Sequence, residues 1–395
     1  MGYPQVILRK GKEVSVLRKH PWIFSGAIFK VPKQIEDGQV VEIQSADGIF
    51  LATGHYQGGS SIAVRILSFT ENEINTDFWK AKLKNAIEFR RSVGLPSSET
   101  NAYRLIHGEG DGLPGLVIDI YNDVAVVQCH SLGIYRASED IAAALAQVTG
   151  KTLDSIYLRC RDTMPEHTGE ELSGDKFIKG NREETTIVEN GIKFLINVVK
   201  GQKTGFFLDQ RENRKLLGSY SSGKTVCNCF SYTGGFSLYS LMAGARSVES
   251  VDISQQAVAL LDENLKLNDF GGSHTSVCNN VMHYLASEET GTFDIVVVDP
   301  PAFAKSLHKR HNAVQAYKRL NQLAIKKVKK GGFLFTFSCS QVVGTQLFYD
   351  TIVAAGIESG RSVRVVASLS QGPDHPVNLF HPEGHYLKGL ILCID

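Results

Sequence analysis

The sequence is short of several things, and each shortage removes a class of protein. No apolar run in its 395 residues approaches the roughly 20 that cross a bilayer, so no membrane partner is expected. Met1–Lys19 is polar and alternating, without the apolar centre of a secretory leader. Seven cysteines, an odd number without scaffold-like spacing, argue against a disulfide framework and for a reducing compartment, hence a cytoplasmic protein. Metal-ligand spacing is also missing. No second cysteine pair follows Cys227-Asn-Cys229, and alternate strand residues point to opposite faces, so no zinc knuckle is read there. His381-Pro-Glu-Gly-His385 lacks further clustered ligands and reads as a loop near the active face, so no metal is assigned. A dinucleotide fingerprint Gly-x-Gly-x-x-Gly is absent from the one glycine loop that follows an apolar strand, which favours a nucleoside ligand without phosphates. Repeats and low-complexity stretches are not seen.

A surplus of either charge is lacking too, with 42 Lys and Arg against 41 Asp and Glu, but the balance is uneven along the chain. Residues 1–70 carry +3, residues 71–190 carry −7 and residues 191–395 carry +5. The two ends can therefore face a polyanion while the middle cannot.

What is present divides into three. Residues 3–70 read as all-β, with strands over Gly38–Ile43, Gly48–Gly54 and Ser61–Leu67 and glycine turns that suggest a small barrel. Within it, the aromatic residues of His20-Pro-Trp-Ile-Phe-Ser-Gly26 read as core in preference to a base-stacking surface. Residues 71–188 read as a small α+β module: a helix over Thr76–Val93, a turn-rich loop over Tyr103–Gly115, a hairpin Leu116–Tyr121 with Val124–His130, a helix Ala137–Val148 and a strand Ser155–Arg159. Asp162–Arg182 reads as a loop or linker. Residues 189–395 alternate strands and helices as a doubly wound parallel α/β sheet does, and the last strand, Tyr386–Ile394, follows a non-helical stretch that allows antiparallel insertion. The lysines at 326, 327, 329 and 330 read as a solvated helix end.

The third domain is organised around residues 224–253. Thr225–Cys229 is a buried strand, Phe230–Gly235 a loop, Phe236–Ala243 a helix and Ser247–Val251 a second strand. Gly234 and Gly235 let the backbone approach a ligand at the helix N-terminus, and Asp252 ends the second strand, where a carboxylate can accept both ribose hydroxyls. Two more strand ends carry chemistry. Asp299-Pro300-Pro301 is rigid and extended, and Phe303 offers a flat apolar face for a planar substrate. Cys339 lies between two serines where its strand opens on the same pocket. A thiolate there can add to an electron-poor ring. Addition to C6 of a pyrimidine makes C5 nucleophilic toward an electrophilic methyl group, and Asp299 can steady the adduct at the ring edge. Lys305–His311 is a basic cluster suited either to phosphate contact or to solvent.

Several motifs together resemble the RlmI-type 23S rRNA (cytosine-5)-methyltransferases, an S-adenosylmethionine family of class I. They are Gly205-Phe-Phe-Leu-Asp-Gln-Arg211, Asn228-Cys-Phe-Ser-Tyr-Thr-Gly-Gly-Phe-Ser237, Val251-Asp-Ile-Ser254, Val298-Asp-Pro-Pro-Ala-Phe303 and Phe337-Ser-Cys-Ser340. The resemblance covers nearly the whole chain. It implies an N-terminal PUA domain over residues 1–70, a central α+β domain over 71–188 and a Rossmann-like methyltransferase domain over 189–395. It implies S-adenosylmethionine held by Phe207, Asp209, Gln210, Arg211, Asn228, Phe230, Ser231, Tyr232, Thr233, Gly234, Gly235, Asp252, Ile253 and Asp299, with Asn279 or Asn280 at the adenine. Pro300, Pro301, Phe303 and Lys305 are implied for the substrate, 23S rRNA, and Cys339 with Asp299 for catalysis. Many related cytosine-5 enzymes carry a second cysteine in the substrate motif. This chain has Pro301-Ala302 there, so a single-cysteine mechanism is expected and the base that removes the C5 proton is unassigned. Related enzymes with Asp-Pro-Pro methylate guanine, and a non-catalytic RNA-binding assembly protein is a third reading. A homodimer is the candidate assembly.

Overall fold

The computed structural model describes residues 2–164, 174–286, 289–304 and 306–395. The chain divides into two units. One comprises Met1–Val188, Ile196–Leu208 and Pro373–Gly384; the other comprises Glu189–Leu195, Asp209–Gly372 and His385–Asp395.

The first unit holds two sheets. Strands β1 (Gln5–Leu8), β2 (Trp22–Phe24), β3 (Ile28–Lys30), β4 (Val40–Gln44), β5 (Phe50–Tyr56) and β6 (Ile62–Ser68), with the one-turn helix α1 (Val14–Leu17), form a six-stranded curled sheet in the order β2-β6-β5-β4-β1-β3. The period-two alternation of β1, β4 and β6 turns Val6, Leu8, Val41, Ile43, Val64 and Ile66 into one core. Next come α2 (Thr76–Ser92), β7 (Ala102–His107), β8 (Leu116–Tyr121), β9 (Val124–Cys129), α3 (Leu132–Arg136), α4 (Ser138–Thr149), β10 (Ser155–Leu158) and β11 (Lys176–Lys179). Their sheet runs β11-β10-β9-β8-β7, and Trp79 and Leu83 of α2 join Ile141 and Leu145 of α4 in covering it. Helix α2 begins where Asn75 accepts hydrogen bonds from the Asp77 and Phe78 N–H groups. A hairpin of β12 (Glu184–Glu189) and β13 (Ile192–Asn197) follows, turning at Asn190-Gly191 with φ of 49° and 83°, as a two-residue turn of this hand requires.

The second unit is built on one seven-stranded sheet. Its elements are α5 (Arg211–Ser221), β14 (Thr225–Cys229), α6 (Gly235–Met242), β15 (Ser247–Asp252), α7 (Gln255–Lys266), β16 (Ser273–Cys278), α8 (Val281–Leu285), β17 (Phe293–Val298), α9 (Arg310–Lys327), β18 (Val328–Ser338), α10 (Thr345–Ser359), β19 (Val363–Leu369) and β20 (Lys388–Ile394). The strand order is β16-β15-β14-β17-β18-β20-β19. Strands β16 to β18 are parallel, and β20 inserts antiparallel between β18 and β19. This is a Rossmann-like doubly wound sheet whose order reverses between β14 and β17, which places the ligand crevice at the carboxyl ends of those strands.

Several expectations are corrected. The Tyr103–Gly115 loop contains strand β7, and the Asp162–Arg182 linker contains β11; both are edge strands with mixed polarity, which hides them from a search for apolar runs. The aromatic segment near the N-terminus is not uniformly core. Ile23 is buried, Trp22 is half-buried with its indole N–H donating to Glu109, and Phe24 is exposed. Cys227 and Cys229 do not face opposite ways: residues two apart share a strand face, and their sulfurs lie 3.6 Å apart in the core. Lys327 is not solvated at a helix end but buried, donating to the Glu289 carbonyl. His381 belongs to the first unit, where its ring packs against Trp22 and His20. With His20 and Glu383 it forms a group of close ligand-type atoms that the spacing to His385 did not suggest.

Candidate functional site

Five strand ends of the second unit carry most of the candidate residues. After β14 the backbone turns sharply: Phe230, Tyr232 and Gly234 have φ of 60°, 46° and 87°. Two non-glycine residues in the left-handed region within three positions are a strained arrangement of the kind that functional loops retain. The loop is fixed from below. Ser231 N–H donates to the Val251 carbonyl, the Thr233 carbonyl accepts from Asn264, and Asp252 accepts from the N–H groups of Tyr232 and Ser254, each at 2.9 Å. The half-buried Asp252 carboxylate therefore joins the loops after β14 and β15 and keeps lone pairs for a ligand.

The two loop glycines have a different reason from the one expected. A Cβ on Gly234 would lie 2.8 Å from Leu261 Cγ and 2.9 Å from Leu238 Cδ1, and one on Gly235 would lie 2.9 Å from Arg214 Cδ. Protein side chains fill that space, so the glycines serve packing and the left-handed turn. Arg214 is itself held by a buried bidentate pair with Glu189, which also accepts from the Tyr239 hydroxyl.

Asn228 is buried and donates to Ser237, which continues through Ser250 to His274. Its Oδ1, with Ser231 Oγ and Thr233 Oγ1, is buried without a hydrogen-bond partner among the described residues. Ile253 is exposed at the end of β15. After β16 the two asparagines separate in role. Asn280 caps α8, its Oδ1 accepting from the Met282 and His283 N–H groups, whereas Asn279 is exposed. Asp209, Gln210 and Arg211 open α5 and are buried; Asp209 accepts from the Tyr386 hydroxyl at 2.6 Å, and Gln210 accepts from Asn213. Phe207 falls in the first unit, with Lys203 Nζ 4.7 Å above its ring.

The ends of β17 and β18 converge. Ser340 Oγ donates to the Ala304 carbonyl at 2.8 Å, which ties the Ser338-Cys339-Ser340 turn to the Asp299–Ala304 segment. Asp299, Phe303 and Cys339 are half-buried, Pro300 is buried and Pro301 is exposed. Tyr317 of α9 lies fully buried beneath, its ring edge-on to Phe303 at 4.7 Å. Burial pushes its phenol pKa up, and the neighbouring Cys339 and Asp299 add to the effect. His308, Lys309, Arg310 and His311 are exposed; Lys305 lies outside the described residues.

Sequence reasoning missed Lys388. It opens β20 opposite Ser338 and is buried, and its Nζ donates to the carbonyls of Ser340 and Tyr386, both at 2.7 Å. Burial lowers its pKa from the usual lysine value to about 8, although the proximity of Cys339 works the other way. The only hint was a lysine inside the expected last strand.

Residues 104–383 match the profile of S-adenosylmethionine-dependent methyltransferases, and residues 6–69 match that of PUA-like domains. The chain is 40% identical to ribosomal RNA large subunit methyltransferase I of Aeromonas salmonicida, over 98% of both chains. It is 38% identical to the protein of that name from Vibrio vulnificus, over 97% of this chain and 98% of the other. Among solved structures it resembles a candidate S-adenosylmethionine-dependent methyltransferase from Streptococcus mutans, with a TM-score of 0.83, 25% identity and coverage of 98% and 99%. A candidate methyltransferase solved with S-adenosylhomocysteine (SAH) fits equally, with a TM-score of 0.83, 25% identity and full coverage of both chains.

Proposed function

The chain belongs to the ribosomal RNA large subunit methyltransferase I family of S-adenosylmethionine-dependent methyltransferases, and from that premise we propose that it methylates C5 of a cytosine in 23S rRNA through a covalent adduct with Cys339. The observation that carries the reading is the tie between Ser340 and Ala304, which brings a half-buried thiol and the Asp299 carboxyl to neighbouring strand ends at the crevice.

The residues fit the cofactor. Three buried polar atoms of Asn228, Ser231 and Thr233 await partners at the β14 loop, and Asp252 offers a carboxylate at the end of β15. Asp252 takes the ribose hydroxyls in this reading. Asn279 takes the adenine edge, since the Asn280 carbonyl is occupied as a helix cap. In this reading Phe230, Ser231, Tyr232 and Thr233 border the methionine part, and Asp209, Gln210 and Arg211 belong to the same site. Bound there, S-adenosylmethionine supplies an electrophilic methyl group.

The chain's own groups do the rest. A flipped-out cytosine lies on Phe303 beside the rigid Pro300-Pro301 backbone. Cys339 Sγ, as thiolate, bonds to C6, and the electron pair of the C5–C6 bond becomes available at C5. Asp299, as the carboxylic acid hydrogen-bonded to the ring edge, supports the negative charge that develops there. After C5 has taken the methyl group, its proton passes to water and the C–H electron pair expels sulfur from C6, which restores the aromatic ring and the thiolate. Guanine offers no equivalent C6 addition, so Cys339 favours cytosine over the guanine reading. Replacing Cys339 with alanine should reduce methyl transfer to background while leaving cofactor affinity within about twofold, as read by calorimetry with SAH; full activity in that variant would sink the adduct.

A further inference from the structure

We propose that Lys388 is the positioning residue that makes Cys339 a nucleophile, by taking up its proton and holding the resulting thiolate as one half of an ion pair. The inference rests on the reading of Cys339 as nucleophile, but its test needs neither RNA nor cofactor.

Strand β20 runs antiparallel to β18 with Lys388 opposite Ser338, and the long side chain carries the amine past the strand end to the turn that holds Cys339, where it bonds Ser340. The amine is held there by two carbonyl acceptors, one of them in that turn at Ser340 and the other at Tyr386. A neutral amine has two N–H groups and one lone pair. Two carbonyls at 2.7 Å satisfy both donors and leave the lone pair as the only unused valence. Protonation of that lone pair adds a third N–H and a full charge, which two carbonyls alone do not neutralise. An anion is the missing partner, and Cys339 immediately precedes Ser340, whose carbonyl the amine already holds. Other titratable groups around this pair do not supply it. Tyr317 is a buried phenol whose pKa is driven up, and Tyr386 is committed to Asp209 through its hydroxyl. Among the described residues at the ends of β17 and β18 the carboxylate is that of Asp299, which the proposed reaction requires in its acid form at the ring edge.

The proton balance is simple. The Cys339 S–H bond breaks, its proton joins the Lys388 lone pair, and the charges appear together as thiolate and ammonium. Burial lowers the amine's pKa toward that of an ordinary thiol, which narrows the free-energy gap between the two protonation states of the pair. A neighbouring ammonium is one of the few environments that lowers a thiol pKa, and an apolar one raises it.

The experiment is the pH dependence of Cys339 alkylation by iodoacetamide, read by peptide mass spectrometry, in the native chain and in Lys388→Met and Lys388→Arg variants. Cys278 is exposed and serves as the internal reference thiol. In the native chain Cys339 should titrate below Cys278. Lys388→Met should move its midpoint up by at least about one pH unit, a roughly tenfold slower alkylation at pH 7, and Lys388→Arg, which keeps a cation, should restore most of the difference. Cys339 titrating with or above Cys278 in the native chain overturns the proposal without any variant having to fold. An unchanged midpoint in Lys388→Met overturns it as well. If these shifts appear and no 5-methylcytidine forms on rRNA, the ion pair stands and the cytosine reading fails.

Discussion

Asp252 gives the sharpest handle on the cofactor site. Each of its carboxylate oxygens accepts one backbone N–H, from Tyr232 and from Ser254, at 2.9 Å. Replacement with asparagine keeps shape and volume but turns one acceptor into an NH2 group that faces a backbone donor. One charge-assisted hydrogen bond is lost, worth about 1.5–3 kcal/mol. Asp252 is half-buried, so the low end applies, and the loss falls on the loop that encloses the cofactor as well as on the ribose contact. Converted at 1.4 kcal/mol per tenfold, the variant should bind SAH about 10- to 50-fold more weakly. Isothermal titration calorimetry measures this directly, with Glu263→Ala, exposed near the end of α7 and outside the site, as the control. Unchanged affinity in Asp252→Asn would refute both the ribose role and the view that this carboxylate organises the loop.

Other consequences follow from the same geometry. Glu189→Leu strands the buried Arg214 guanidinium and should cost about 3–5 kcal/mol, because an uncompensated buried charge remains. Calorimetry should show a Tm lower by about 6–20 °C, with much of it recovered in Glu189→Leu/Arg214→Met; no fall in the single variant contradicts the pairing. Asn280→Ala should remove the α8 cap at about 1 kcal/mol and leave cofactor affinity intact, whereas Asn279→Ala should weaken it. Equal losses of affinity in the two would return Asn280 to the site.

The core of the second unit was legible in the sequence because its parallel strands are buried on both faces. Thr225–Cys229 and Phe293–Val298 appear as apolar runs closed by turns, and their bounds coincide with β14 and β17. The residues at their ends could be found for the same reason, since a strand's carboxyl end follows at once from its limits. What escaped depends on contacts across the chain. Lys388 reads as an ordinary charged residue until β20 pairs with β18 and folds its amine under the Cys339 turn. Gly235 reads as room for a ligand until Arg214, twenty-one residues earlier, occupies that room. The division of roles between Asn279 and Asn280 needs the dihedral geometry of a helix start, which two adjacent asparagines do not reveal. Edge strands β7 and β11 escaped because one side of each is free of sheet partners and tolerates polar residues.

The central claim is the chemistry at C5, and transfer of labelled methyl from S-adenosylmethionine to protein-free 23S rRNA or to large-subunit particles, followed by nucleoside analysis, tests it most directly. Label is expected in 5-methylcytidine, and its loss in Cys339→Ala. Label in a guanine or adenine derivative, or 5-methylcytidine that persists without Cys339, would contradict it.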